Sequence, residues 1–283
     1  VSKTTVMDSQ KQILHTGAGA LTPQPLASAE ILRGLNTQRV GRSALCFGEV
    51  GSTNDIAWDS AMQSDTDGLV ILAEFQRAGR GRHGKRWISA PAAGVLMSVL
   101  LLDPDNKLPH EALTIAAGLA VAQALARVTC LEPDLKWPND VLISSRKIAG
   151  IIVERQNTPP EQAFVIGLGL NISAAPPNEA VDCPATSLAE HLGEVPSRAE
   201  IVRAILRQLD AQLAAIVAGK LDALHEAWLG RCNMLHERIT VDSRGKRYTG
   251  RVLDVDPLRG MLLADDHGSR IYIPAAGATI VTQ

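Results

Sequence analysis

The twelve residues Gln76-Arg77-Ala78-Gly79-Arg80-Gly81-Arg82-His83-Gly84-Lys85-Arg86-Trp87 carry five Lys or Arg side chains, three glycines and no carboxylate. That combination suits an anion. Glycine lets the backbone approach a phosphate closely, and guanidinium groups offer forked donors that match phosphate or carboxylate oxygens. A solvated basic loop is the bland alternative. Two familiar patterns occur in the stretch and physics rejects both. Gly79, Gly81 and Gly84 spell GxGxxG, yet six residues separate Gly84 from Pro91, too few for the helix that must carry a pyrophosphate. Residues 79–85 also fit GxxxxGK, but Arg86 stands where a Ser or Thr should ligate magnesium.

A second stretch, Lys136-Trp137-Pro138-Asn139-Asp140, precedes Arg146-Lys147-Ile148-Ala149-Gly150. Pro138 stiffens a turn, Asn139 supplies both a donor and an acceptor, and Asp140 can bind a cation or orient a lysine. Lys147 stands before a buried run and can reach into a pocket. An ordinary turn and a surface lysine would read the same way. In Gly167-Leu168-Gly169-Leu170-Asn171 the glycines within a strand suggest close approach of a ligand, with the Asn171 amide at the end.

These residues need a scaffold, and the hydrophobic pattern supplies one. Helices are expected over 29–35, 55–62 and 111–128, the last alanine- and leucine-rich enough to pack deeply against a sheet. Strands are expected over 45–50, 68–75, 95–102, 141–143, 148–154 and 164–170. Ser197 and Glu200 match a capping box, and Ile201, Ile205, Leu209, Leu213 and Ile216 then repeat at helical spacing, with a further helix to about Trp228. After Glu237 the pattern becomes short alternating runs over 238–241, 248–255, 261–264 and 270–274, split by Gly, Asp and Pro turns. The expected organisation is a leader over 1–28, a main unit over 29–236 and a small all-β unit over 237–283.

The 283 residues allow one or two domains with a substantial core. With 28 Lys+Arg against 30 Asp+Glu the net charge is −2, so the chain lacks the basic excess of a nucleic-acid binder and any anion site must be local. Apolar runs such as 99–102 fall far short of the roughly 18 residues of a membrane span. Four scattered cysteines form no CxxC pair, which argues against a disulfide framework or a zinc cluster, and the first residues carry no secretory signal. A soluble protein of the reduced cytoplasm is the expectation, with no membrane partner.

In order and spacing, Gly51-Ser52-Thr53-Asn54, GRGRHGKRW, KWPNDVL, RKIAGIIVE and GLGLNIS together resemble the biotin protein ligase family, specifically the biotin-[acetyl-CoA-carboxylase] synthetases. The resemblance runs from about Ala29 to the C-terminus. It implies an α/β (α+β) fold with a central mixed sheet flanked by helices, like class II aminoacyl-tRNA synthetases and lipoate ligases, followed by a small SH3-like barrel. It implies the substrates biotin and ATP with Mg2+: biotinyl-5'-AMP and pyrophosphate form first, and a lysine of the biotin carboxyl carrier protein then takes the biotinyl group.

By motif position, the resemblance places Ser52, Thr53, Asn54, Gln76, Gly79, Arg80, Gly81, Arg82, Lys147 and Gly150 on biotin. It places Lys85, Trp87, Lys136, Asn139, Asp140 and Asn171 on ATP, with Asp140 toward the metal. Lys147, Arg80 and Arg82 would be catalytic, Lys147 by stabilising charge on the forming mixed anhydride. Larger family members carry an N-terminal DNA-binding domain; the short aperiodic leader implies a form without one, hence no DNA partner. Lys85 stands where Arg is common, weakening a bidentate phosphate contact. A homodimer is compatible with this fold. Two other activities remain open: lipoate or octanoate attachment on the same fold, and a sensor that binds biotin or nucleotide without turnover.

Overall fold

The computed structural model describes residues 24–281 apart from positions 64, 159, 160, 182, 257 and 276. The leader reading over 1–28 thus falls largely outside the described residues. From Gln24 onward the chain is held: the Gln24 carbonyl accepts a bond from Arg198 Nη2 at 2.6 Å, and the Leu26 N–H donates to Glu74 at 2.7 Å. Helix α1 (Ser28–Leu32) follows, then β1 (Ser43–Val50), α2 (Thr53–Ser60), β2 (Leu69–Gln76), β3 (Gly94–Asp103), α3 (His110–Thr129) and β4 (Asp134–Lys136). Strands β5 (Asp140–Ile143), β6 (Arg146–Thr158) and β7 (Glu161–Asn171) precede helices α4 (Arg198–Val217) and α5 (Leu221–Leu229).

These strands form one seven-stranded sheet in the order β1-β2-β3-β7-β6-β5-β4. Only the β1–β2 pair is parallel, so the sheet is mixed, as expected. Side chains alternate between its faces. On β2, Val70 and Leu72 join the larger core with α3 and α4, whereas Leu69 and Ile71 join Ala57 of α2, Leu100 and Val165 in a smaller core. Helix α3 is apolar enough by length and composition to cross a membrane, but its side chains from Ala112 to Leu125 are mostly buried against the sheet and α4. Burial on nearly all sides explains its poor amphipathicity. An ion pair ties these layers together: Arg198 of α4 lies 2.5 Å from Glu74 of β2, with little of either side chain exposed.

The remaining strands are β8 (Arg238–Ser243), β9 (Lys246–Asp256), β10 (Gly260–Ala264), β11 (Arg270–Pro274) and β12 (Ala278–Val281). They form an antiparallel sheet in the order β11-β10-β9-β8-β12. Its inner residues, among them Val241, Val252 and Ile273, continue the larger core. Between the sheets, the Leu135 N–H donates to the Arg231 carbonyl at 2.8 Å and the Trp137 N–H contacts Met234 Sδ at 3.3 Å.

The expected elements are present, with two short strands added. Neither β4 nor β12 is long enough to show a period. Helix α2 begins two residues earlier than its apolar pattern suggests, because the buried Ser52 side chain caps it by accepting the Asn54 N–H at 3.3 Å. At α4, Ser197 caps by accepting the Glu200 N–H, but the reciprocal box forms elsewhere, between Ser187 and Glu190.

Candidate active site

Two neighbouring strands, β6 and β7, lose side chains on one face. Gly150 of β6 pairs with Gly169 of β7, which pairs with Leu96 of β3; one step along, Ile152 faces Gly167, which faces Ser98. Glycine costs strand stability, so its use here has a steric reason. A Cβ on Gly169 would lie 2.2 Å from Trp87 Cε2, and one on Gly167 would lie 2.5 Å from Asn54 Oδ1. The space beneath Trp87 is therefore carved from backbone. The expectation of close ligand approach here needs adjusting: the atoms lying on these glycines are the protein's own Trp87 and Asn54. Above the floor opens a cavity of about 670 Å³. All the residues assigned by motif position line it except Gly79, whose carbonyl accepts the Trp87 N–H at 3.0 Å at the neck of the basic loop.

One end of the cavity is polar and uncharged. Ser52, Thr53 and Asn54, at the start of α2, are each no more than 3% exposed. Gln76 Oε1 accepts both the Thr53 N–H at 2.7 Å and the Thr53 hydroxyl at 3.0 Å. Because a backbone N–H can only donate, the Gln76 amide is oriented with its NH2 available to a ligand. Ser98, fully buried on β3, lies 2.7 Å from Thr53 Oγ1 and 2.6 Å from the Asn54 amide oxygen.

The other end is cationic. Among the described residues, Arg80, Arg82, Lys85, Arg86, Lys136 and Lys147 line the cavity, and Asp140 is the carboxylate that lines it with them. The local anion site that the near-neutral chain required is thus concentrated here. The basic loop folds back on itself: Arg80 and Arg86 form an antiparallel bridge, and the Gly81 N–H donates to the Lys85 carbonyl at 2.8 Å around a 3-10 turn at Arg82–Gly84. No α-helix follows, which fits the rejection of both nucleotide patterns.

Within the loop the two arginines differ. Arg80 pairs with Asp55 and with both oxygens of Glu154; although burial works against the charge, these carboxylates raise its pKa. Arg82 donates to Asn139 Oδ1 at 3.4 Å, and burial lowers its pKa despite the field of Asp140. Arg82 is thus the less compensated of the two. Lys147 Nζ sits 2.6 Å from Asp140 Oδ1 and 5.7 Å from the centre of a Trp87 ring. That approach lies off the hydrogen-bonding directions, so Oδ1 keeps acceptor capacity. Of the two roles open to Asp140, orienting a lysine is the one these contacts display. Among the described residues, no carboxylate lies within ion-pair distance of Lys136.

Asn139 and Asn171 are held by backbone partners. Asn139 Nδ2 donates to the Ile151 carbonyl at 2.8 Å, and Asn171 Nδ2 to the Thr186 carbonyl at 3.0 Å. Their amides are committed in orientation: the Asn139 oxygen accepts Arg82, and the Asn171 oxygen is left to accept.

The Biotin/lipoate A/B protein ligase family matches residues 47–171. Over 262 residues the chain is 35% identical to the biotin--[acetyl-CoA-carboxylase] ligase of Mycobacterium tuberculosis, covering 88% of this chain and 94% of that one. The chain belongs to the biotin protein ligase family. The bifunctional ligase/repressor BirA of Bacillus subtilis is 30% identical over 258 residues, 88% of this ligase and 78% of that protein. In fold, this ligase resembles the biotin protein ligase from Aquifex aeolicus solved with biotin and ATP, with a TM-score of 0.72 and 23% identity over 84% of this chain and 98% of that one. The mixed sheet with its second, smaller sheet is the architecture expected from the motifs.

Several lining residues of the ligase escaped motif reasoning. Thr279, Ile280 and Val281 of β12 reach the cavity from the smaller sheet, and Cys183 from the segment that pairs with the start of β6. Ser98 lies just behind the wall. A lone serine in an apolar strand run was the available signal for it. Among the described residues there is no cluster of three or more His, Cys, Asp or Glu side chains that could hold a metal ion. A cavity rich in cations would suit a magnesium carried in on nucleotide phosphates rather than held by a protein cluster, and among the described residues Asp140 is the lining carboxylate that could meet it.

Proposed function

We propose that the ligase joins biotin to ATP in this cavity and passes the biotinyl group to a lysine of the biotin carboxyl carrier protein of a biotin-dependent carboxylase. The observation that carries the reading is the meeting, in one cavity, of an uncharged hydrogen-bonding end and a wall where, among the described residues, six cations stand beside Asp140. A cyclic urea needs the first. A carboxylate attacking a triphosphate needs the second.

Biotin's carboxylate oxygen attacks the α-phosphorus and pyrophosphate departs. Two anions must approach, so fixed cations aimed at the developing charge lower the barrier. Lys147, Arg82 and Lys136 supply that field, and Arg80 shapes the loop through its two carboxylates while its backbone frames the biotin side. Magnesium, when bound with ATP, supplies further neutralisation of the phosphates. In the second step the neutral carrier amine attacks the acyl carbon, AMP leaves with the bonding electron pair, and the amine loses its proton. The same cations stabilise the departing phosphate. Trp87, with Asn139, Asn171 and Lys85, forms the nucleotide side, and the loop over 79–87 shields the mixed anhydride from water.

The catalytic unit spans 29–236 and the SH3-like unit 237–283, the latter adding the β12 wall. A cytoplasmic location accords with four free cysteines among the described residues. The test is biotin-dependent exchange of pyrophosphate into ATP, followed by intact-mass analysis of a carrier domain incubated with enzyme, biotin and MgATP. Exchange and a single added biotinyl group are expected. Equal exchange with octanoate or lipoate would overturn the biotin assignment, and binding without exchange would make the protein a sensor.

A further inference from the structure

Behind the polar end of the cavity, Ser98 stands between two residues that face the ligand. Its hydroxyl has a single proton and two close neighbours, Thr53 Oγ1 at 2.7 Å and the Asn54 amide at 2.6 Å. The sense of the Asn54 amide therefore decides the direction of every bond in the chain.

With the amide oxygen toward Ser98, the Asn54 NH2 group is buried without a partner. A buried donor of that kind is costly. The only proton left for the Thr53–Ser98 contact is then Thr53's own, which leaves Thr53 Oγ1 and Gln76 Oε1 3.0 Å apart with no proton between them. Turning the amide over removes both conflicts. Asn54 then donates to Ser98, Ser98 to Thr53, and Thr53 to Gln76 Oε1, an atom already fixed as an acceptor by the Thr53 N–H. Each short contact now holds one proton. What stays unpaired is the Asn54 oxygen, with the second amide proton, in a residue 3% exposed that lines the cavity.

We propose that Ser98 is a positioning residue that sets the hydrogen-bond polarity of the biotin pocket, holding Asn54 and Thr53 so that Asn54 presents an acceptor to the ligand. Together with the donors of Ser52 and Gln76, this selects a ring in which N–H sits beside C=O. The inference rests on the biotin reading above. Ser98 touches no substrate; it acts through Thr53 and Asn54.

The test compares wild type, Ser98→Ala and Ser98→Thr in pyrophosphate exchange, with KM for biotin, KM for ATP and kcat determined separately and melting temperature recorded on each sample. Ser98→Ala is expected to raise KM for biotin about tenfold or more, the effect of a lost buried hydrogen bond and its disordered neighbour. KM for ATP should stay within about twofold and kcat at saturating biotin within about threefold. Ser98→Thr, which keeps the hydroxyl, should restore most of the loss. Should Ser98→Ala fail to fold, Ser98→Cys keeps the shape with a weak donor, and its KM for biotin should rise while KM for ATP holds.

An unchanged KM for biotin in a folded hydroxyl-free variant overturns the role of Ser98 and leaves the biotin reading standing. So does a parallel rise in both KM values, which marks a merely structural residue. Absence of biotin-dependent exchange in the wild type overturns the biotin reading and this inference with it.

Discussion

Removing Asp140 is expected to repair part of the damage done by removing Lys147. The two side chains form an ion pair at 2.6 Å, each about one-fifth exposed. Take a developing anionic oxygen about 4 Å from the ammonium and about 6.6 Å from the carboxylate, at an effective dielectric of about 20: the attraction is about 4 kcal/mol and the repulsion about 2.5 kcal/mol. Lys147→Gln loses the attraction and keeps the repulsion, so adenylation should fall by a hundredfold to a thousandfold, roughly the loss seen when one preorganised donor is removed. Lys147→Gln with Asp140→Asn loses both, a net of about 1.6 kcal/mol, and should fall only about tenfold to twentyfold. Lys136→Gln removes a cation with no carboxylate within ion-pair distance among the described residues and should be about as damaging as Lys147→Gln; because the repulsion from Asp140 acts in either background, Asp140→Asn should repair it to a similar extent. The assay is biotin-dependent pyrophosphate exchange at saturating MgATP, with melting temperature taken on the same samples. A double variant no more active than Lys147→Gln would show that Asp140 does more than neutralise the lysine, magnesium binding being the leading role. A Lys147→Gln enzyme within about threefold of wild type would remove Lys147 from the field of the reaction altogether.

Gly169→Ala should force Trp87 off the sheet, since the new methyl would lie 2.2 Å from its ring; KM for ATP is expected to rise at least tenfold with a change in tryptophan fluorescence, and an unchanged KM would refute the role of the Trp87 platform. Arg82→Gly should release biotinyl-5'-AMP faster and label bystander lysines, read by blotting a mixed-protein reaction; an unchanged release rate would show that the loop does not cap the site. Glu74→Ala leaves Arg198 buried without its partner and should cost about 3–5 kcal/mol in a denaturation experiment. Burial raises the pKa of the Cys183 thiol, partly offset by Lys147 and Lys136 and reinforced by Asp140, so the thiol stays protonated at neutral pH. Iodoacetamide should accordingly label Cys183 more slowly than exposed Cys130, with labelling accelerating as pH rises and slowed by biotin plus ATP.

What sequence reasoning reached depended on the length of the signal. The apolar period of α3 and α4 and the buried runs of β2, β3 and β7 are long enough to define a sheet covered by helices. By contrast β4 and β12, of three and four residues, carry no period and owe their existence to pairing with β5 and β8. The motifs located the cavity because glycines, cations and amides are chemically conspicuous. They missed Ser98, whose significance is created by a register that sets it opposite Gly167 and beneath α2. They also left open whether Asp140 serves a metal or a lysine, a question of distance between strands β5 and β6 that spacing alone cannot answer. The wall supplied by β12 was equally illegible, since it depends on how the second sheet packs.

The glycine floor has a consequence for drug resistance. A compound seated on Trp87 rests, through that ring, on the main chain of Gly150 and Gly169, and no point mutation can delete a main chain. Escape would have to proceed by adding a side chain, and at Gly169 any Cβ collides with Trp87. At Gly150 the tolerance is finer, because a Cβ would lie 3.1 Å from Trp87 and from the Lys147 side chain together, so a substitution that blocks the inhibitor also disturbs the tryptophan and the Lys147 ammonium. Inhibitors anchored to the Trp87 platform therefore couple evasion to loss of the arrangement of tryptophan and lysine, whereas those anchored to the flanking arginines leave the enzyme free to exchange one cation for another.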